Sequence, residues 1–298
     1  MLDRERIPDR AGIRLNGSGE ENGGEIMWKC PVCGAPLVRC EQEHRDICPQ
    51  GHSFDRSRSG YLHLLPVERT HGGVPGDNKL MVEARRRFLD GGYYAPLAQR
   101  LAEDILRFAP PGAVLDIGCG EGYYLAQIAQ RLPENGVRTL FGVDISKTAV
   151  DKAARRCRPA QFAVGSAFRL PVTDGAAAAA LNVFAPYCGE EIRRVLRADG
   201  AFIMALPGAD HLWELKQQVY DRPYKNEVKP FVLEGFDLVD NTELRYPIDL
   251  PDGQTIRDLF MMTPYYYKTG RHDQEKLLAL DRLTVTAHFF VPVYRPTR

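Results

Sequence analysis

The chain has no apolar run near the roughly 18–20 residues that a membrane-crossing helix needs, which excludes an integral helical membrane protein. Its start, MLDRERIPDR, lacks the apolar stretch of a secretory leader, and the cytoplasm is the expected address. Net charge is also lacking, with 39 Lys and Arg against 39 Asp and Glu. A chain-wide polycation is thereby excluded, although a balanced sum leaves room for a local basic groove. There is no internal repeat and no heptad pattern. What remains, 44% hydrophobic and 26% charged over 298 residues, is a globular composition with length for one large domain and a smaller one.

Cysteine is scarce and unevenly placed. Of seven, Cys30, Cys33, Cys40 and Cys48 fall within nineteen residues, while Cys119, Cys157 and Cys188 are scattered. An odd count argues against a disulfide framework, and in a reducing compartment clustered thiols point to a metal. Cys30, Cys33, Cys48 and His52 form C-x2-C-x14-C-x3-H, the spacing of a closed, structural zinc site with four protein ligands. Cys40 and His44, in the loop between the two knuckles, are rival ligands. A segment as short as 28–66 buries little core of its own, so metal ligation would hold it.

Residues 1–26, almost without apolar side chains, read as a disordered tail. Residues 27–66 form the zinc module, and 67–109 a linker followed by helices. The linker is marked by Gly, Pro and Asn over Thr70–Asn78, and the helical pattern of 79–107 breaks at Gly91-Gly92 into two helices. From 110 to 298 strands and helices alternate. Strands are expected at 114–117, 139–144, 161–164, 176–183 and 200–205, and helices at 123–132, 148–158, 190–196 and 210–220. The helix at 210–220 is amphipathic and packs on the sheet or acts as a lid. The pattern predicts an α/β fold with a mainly parallel, doubly wound sheet. Ala176–Ala180 is a poor strand by propensity, but small side chains suit a place where something packs close.

Between the first strand and its helix lies Asp116-Ile-Gly118-Cys-Gly120-Glu121-Gly122-Tyr123. Glycines there bend sharply and admit a ligand close to the backbone. Asp144 ends the next strand, where a carboxylate can accept from both hydroxyls of a ribose. A G-x-G-x-G loop preceded by an aspartate differs from the dinucleotide G-x-G-x-x-G, and a pocket facing a carboxylate suits a cation. Adenosine, ammonium and sulfonium combine in S-adenosylmethionine, and DIGCGEGYY resembles the first motif of class I methyltransferases. That resemblance implies that the loop, with Glu121 and Tyr123, approaches the methionyl part and that Asp144 holds the ribose. Ser166, Ala167 and Phe168 would flank adenine, with Ser166 standing where many members carry Asp. Cys119 reads as a packing residue within the loop.

The wider set of motifs is more specific. CPVCGAPL, CPQGHSFDRSRSGYLHLLP, PGD, ARRRFLDGGYY, LDIGCGEGYY, FGVDISK, FAPY, PGADHLWELK and MTPYYYK, in that order from about residue 27 to the end, resemble the 23S ribosomal RNA guanine-N1 methyltransferases. The resemblance implies a class I (Rossmann-like) methyltransferase sheet with a small N-terminal zinc-ribbon domain, S-adenosylmethionine, structural zinc, a homodimer and a 23S rRNA hairpin of domain II as substrate. The family includes a macrolide-resistance branch. A loop guanine can be splayed out of its RNA and stacked on an aromatic ring.

In Asn182-Val-Phe184-Ala-Pro-Tyr187, after the fourth strand, Phe184 and Tyr187 are candidates to stack on guanine. Glu190 is the candidate proton acceptor, with a role at the helix start as the alternative for it and for Glu191. Between residues 28 and 100 eleven Lys and Arg face eight Asp and Glu, led by Arg85-Arg86-Arg87. Arg56, Arg58 and Tyr61 are equally RNA contacts or hairpin structure, and Met262–Lys268 either closes over substrate or is a packed strand. Two other classes stay open: a methyltransferase for another RNA or a small molecule, and a zinc-dependent nucleic-acid binder without catalysis.

Overall fold

Buried apolar runs fix the sheet and amphipathic segments its covering. The computed structural model describes residues 27–66, 79–132 and 139–297, and the expected tail 1–26 and loop Thr70–Asn78 lie outside them. The zinc module contributes β1 (Val38–Cys40), β2 (Arg45–Ile47), β3 (Ser53–Asp55) and β4 (Leu62–His63). Two helices follow, α1 (Lys79–Asp90) and α2 (Ala95–Phe108), broken at the expected glycines. Then come β5 (Ala113–Ile117), α3 (Tyr123–Ala129), β6 (Leu140–Asp144), α4 (Lys147–Arg156), β7 (Ala160–Val164), β8 (Ala177–Val183), α5 (Gly189–Val195), β9 (Leu196–Pro207) and α6 (Trp213–Val219). The chain closes with β10 (Phe236–Leu250), α7 (Gly253–Met261), α8 (Tyr265–Lys268), α9 (Arg271–Leu278) and β11 (Leu283–Pro296).

The eight-stranded sheet runs β10-β11-β9-β8-β5-β6-β7-β4, parallel from β9 to β4, with β11 antiparallel to both of its neighbours. This is the class I methyltransferase sheet. Ala177–Ala180 lie in β8, fully buried between β5 and β9. The alternative that Met262–Lys268 is a packed strand is corrected: Thr263 turns back on Phe260, and Pro264, which offers no N–H to a ladder, leads directly into α8.

The zinc module is not an appendage. β4 adds a parallel strand to β7, Trp28 bridges to Val172, and Lys29 N–H donates to the Pro171 carbonyl at 3.0 Å. No helix occupies the connection from β7 to β8; Met27, Trp28, Leu37, Leu62 and Leu64 join Leu115, Phe141, Ala163 and Leu170 in one buried cluster instead. Trp28 meets Phe141 edge-on at 5.5 Å. The opposite face is covered by α2, α3 and α4. One face of the catalytic sheet therefore takes part of its cover from residues 27–66, beside Ile192 and Val195 of α5.

Candidate active site and metal centre

Cys30 and Cys33 sit on a knuckle where Gly34 N–H donates to the Cys30 carbonyl at 2.9 Å, and Gly51 N–H does the same to Cys48 at 2.9 Å on the second knuckle. Sγ of Cys33 lies 3.6 Å from Sγ of Cys48, and His52 Nδ1 lies 3.6 and 3.4 Å from Sγ of Cys30 and Cys48. Bond lengths of ~2.3 Å to sulfur and ~2.0–2.1 Å to nitrogen require tetrahedral edges of about 3.8 Å (S to S) and 3.6 Å (S to N). The donor set fits zinc. Cys40, ending β1, and His44, exposed at the hairpin tip with φ 50, fall outside the cluster. Arg56 makes two 2.7 Å bonds to buried Asp46, and Tyr61 is buried, so both belong to the hairpin's structure while Arg58 stays exposed.

A cavity of about 1020 Å³ opens above the carboxyl ends of β5, β6, β8 and β9. Gly118, Gly120, Glu121, Tyr123, Asp144, Ser166, Ala167 and Phe168 line one half of it. Gly122 and Asp116 stand behind the lining. The three loop glycines all have positive φ, and a Cβ at Gly120 would meet no atom within 4 Å, so the backbone there faces open space. Asp144 accepts from Gly120 N–H at 2.9 Å and Ser146 N–H at 2.8 Å, which aligns its carboxylate along the loop.

Asp116 is the electrostatic oddity. It is 1% exposed, and neither carboxylate oxygen has a hydrogen-bond partner among the described residues. Burial, reinforced by the nearby Asp144 charge, pushes it up to about 7. Glu121, also buried, is pushed up to about 7 by burial although Arg156 lies 2.7 Å away. Asp116, buried with no compensating cation beside it among the described residues, makes the loop a site for a positively charged ligand. Cys119 is buried and burial raises its thiol, as befits a packing residue.

The other half is aromatic. Phe184, 43% exposed, adopts φ 56, a strained conformation for its type, and its ring lies nearly parallel to His211 at 6.2 Å. Tyr94, Tyr187, His211 and Tyr265 complete this wall. His211 Nδ1 accepts from His288 N–H at 3.3 Å, and burial pushes its ring down to about 3, so it is neutral with its proton on Nε2, facing the Tyr94 hydroxyl at 3.5 Å. Arg85 also lines the cavity, and Arg87 is held by Asp258 at 2.6 and 2.8 Å.

Glu190 is exposed on α5 and does not line the cavity, and Glu191 accepts from Leu170 N–H at 2.7 Å while pairing with Arg194. The structure thus brings Phe184 and Tyr187 to the cavity but not Glu190. Tyr265 lies in Met262–Lys268, the segment expected either to close over substrate or to be a packed strand, whereas Tyr94, His211 and Asn226 were not expected as site residues. These three come from separate stretches of the chain, and no local spacing joins them.

Residues 28–72 match the zinc-ribbon family model described as RlmA, N-terminal, and residues 114–200 match a methyltransferase domain. A 23S rRNA (guanine(748)-N(1))-methyltransferase of Streptomyces fradiae is 44% identical over 191 residues, 63% of this chain and 65% of that enzyme. A relative from Micromonospora griseorubida, provisionally named a 23S rRNA (guanine-N(1)-)-methyltransferase, is 32% identical over 291 residues, 90% of this chain and 97% of its own length. One from Bacillus subtilis (strain 168), named in the same provisional way, is 30% identical over 264 residues, covering 85% and 90%.

Proposed function

The chain belongs to the 23S rRNA (guanine-N1)-methyltransferase family, and from that premise we propose that it methylates N1 of a guanosine in a hairpin loop of 23S rRNA domain II. The observation that carries this reading is the relationship over nearly the full length of two relatives, embracing zinc ribbon and catalytic sheet together. The reaction forms an N1–CH3 bond, breaks a sulfonium C–S bond and releases the N1 proton.

S-adenosylmethionine, when bound, supplies an electrophilic methyl group. The chain's contribution is placement and charge. Asp144 would take the ribose hydroxyls, the open backbone at Gly120 would lie against the methionyl part, and Ser166, Ala167 and Phe168 would flank adenine. Buried Asp116 and Glu121 would answer the ligand's positive charge. Phe184 and Tyr187 would stack on the extruded guanine. The groups around that aromatic wall are neutral hydroxyls, an imidazole and amides, so the chain there orients the base. The zinc ribbon, with exposed Arg58, and Arg85 at the cavity would hold the RNA. We extend the reading to a cytoplasmic homodimer; among the described residues no helix is long and apolar enough to cross a membrane.

The test is methyl transfer from labelled cofactor to unmodified 23S rRNA, followed by mapping of N1-methylguanosine through its block to reverse transcription. A stop in the domain II hairpin is expected. Label without that stop would retain methyl transfer and discard the position, and absence of label would defeat the reading.

A second prediction follows from Asp116. With its pKa raised in the folded state, that state holds a proton which the unfolded chain has released, so Asp116 lowers stability as pH rises from about 4 to 7. Asp116→Asn should flatten this slope and raise the thermal midpoint of the ligand-free protein at pH 7.5, while weakening cofactor affinity by about tenfold or more. Calorimetry of melting and of cofactor binding checks both, and a lower midpoint with unchanged affinity would contradict them.

A further inference from the structure

Asn182 lies at the carboxyl end of β8, is 1% exposed and lines the cavity. Its Nδ2 donates to the Ile117 carbonyl at 3.2 Å. A carbonyl can only accept, so this bond fixes which end of the amide is which and leaves Oδ1 as the free end. No hydrogen bond to Oδ1 is found among the described residues, although the side chain is almost entirely buried. Oδ1 is not one of the fully buried unpartnered side-chain atoms, so it opens onto the cavity, where a ligand's donor can reach it.

The location of this oxygen is fixed from two sides. The Nδ2 bond to Ile117 ties the side chain to the residue before Gly118, and Ala185, three residues further along the chain, packs so tightly on Gly118 that a Cβ there would come within 2.3 Å of it. Asn182 therefore stands where the glycine loop meets the stacking wall of Phe184 and Tyr187. Guanine offers donors on its Watson–Crick edge at N1 and at the exocyclic amino group, N2. N1 must give up its proton and receive the methyl group. N2 keeps its protons throughout the reaction and can donate in both ground and transition states.

We infer that the Asn182 Oδ1 accepts a hydrogen bond from the exocyclic amino group of the target guanine, and so positions N1 and selects guanine over bases that lack that group. The inference rests on the guanine-N1 reading above. Asn182 is a positioning and specificity residue, since an amide oxygen does not take the proton away.

The test compares a domain II hairpin carrying guanosine at the target with one carrying inosine, which keeps N1–H and O6 and lacks only the amino group. Full-length wild-type protein, Asn182→Ala and the volume-preserving Asn182→Leu are assayed for kcat/KM, with S-adenosylhomocysteine affinity measured alongside. Wild type should lose about 10–100-fold on inosine. Both variants should lose a comparable factor on guanosine, show little further loss on inosine, and keep S-adenosylhomocysteine affinity within about twofold. A purely structural role for Asn182 would lower both substrates together and leave the guanosine-to-inosine ratio intact. The inference is overturned if wild type does not discriminate, if the variants keep the full discrimination, or if both variants lose S-adenosylhomocysteine, which would assign the oxygen to the cofactor. Absence of N1-methylguanosine on the guanosine hairpin with wild type would instead sink the underlying reading.

Discussion

Removing zinc should lower the thermal midpoint of the whole protein by more than about 10 °C and take cofactor binding with it. The four donors lie within 4.8 Å of one another, and without a cation three sulfurs and an imidazole have no reason to stay so close. Structural zinc sites contribute on the order of 10 kcal/mol to the folds they close. In many modular proteins that loss stays local. Here the same cluster that includes Cys30 and Cys48 includes Leu115 and Ile117 of β5, Phe141 and Val143 of β6, and Ala163 of β7. These strands carry the glycine loop and Asp144 at their ends. Uncovering them exposes apolar surface at roughly 25 cal/mol per Å², and each kcal/mol lost moves the midpoint of a protein this size by about 2–4 °C. Cys48→Ser should reproduce the effect, with metal content falling from one zinc per chain toward none. Metal analysis and calorimetry on the same samples check this, and a midpoint unmoved by complete metal removal would show that the module is thermodynamically separate. By the same reasoning, deleting residues 1–66 removes β4 and part of the cover of one sheet face, so inactivity of that truncation would not by itself identify an RNA-binding role.

The sequence disclosed what is local. The two cysteine knuckles and the glycine loop are legible because each is a turn whose chemistry lies within a few residues, and Asp144 follows at a spacing set by one βαβ unit. The choice between His52 and the rivals Cys40 and His44 needed three dimensions: Cys40 pairs with Arg45 in the β1–β2 ladder and His44 sits at the hairpin turn, while His52 joins the three thiols. Arg56 looked equally suited to phosphate and to structure because its partner, Asp46, faces it across a hairpin register that no spacing rule announces. Beyond residue 205 the reading missed β10 and β11, although the alternation Glu243-Leu244-Arg245-Tyr246 and the β-branched and aromatic run from Val285 to Val293 were available as strand signals. Of the acceptor wall the sequence showed only Phe184, Tyr187 and the segment holding Tyr265, and its assembly was hidden for a different reason. Tyr94, Phe184, His211 and Tyr265 span some 170 residues of sequence and meet only because β11 inserts between β9 and β10 and carries Phe289 against three of them.

The three glycines of the loop should fail in three different ways when each is replaced by alanine. All pay for a left-handed backbone, about 1–2 kcal/mol for a residue with a Cβ. Gly120→Ala meets no protein atom within 4 Å, so its Cβ enters the space reserved for the ligand and the main loss, about tenfold or more, should appear in cofactor affinity. Gly122→Ala puts a Cβ 2.9 Å from the Ala153 Cβ and 3.0 Å from its Cα, pressing on the backbone of α4, and should appear chiefly as lost stability. Gly118→Ala has the largest expected effect on turnover, at least 100-fold in kcat/KM. Its Cβ would lie 2.3 Å from the Ala185 Cβ, and the only relief is a shift of the loop that carries Phe184 and Tyr187. A misplacement of about 1 Å in a methyl-transfer geometry is enough for a loss of that size. The clash is with a single methyl group, because the Ala185 Cα stands at 3.8 Å, an ordinary contact distance. Pairing Gly118→Ala with Ala185→Gly therefore removes the steric conflict and leaves the backbone strain. The double variant should recover at least tenfold of the lost activity, while Ala185→Gly alone should cost little. A double variant as inactive as Gly118→Ala would show that strain within the glycine loop, and not its contact with the acceptor loop, sets the rate.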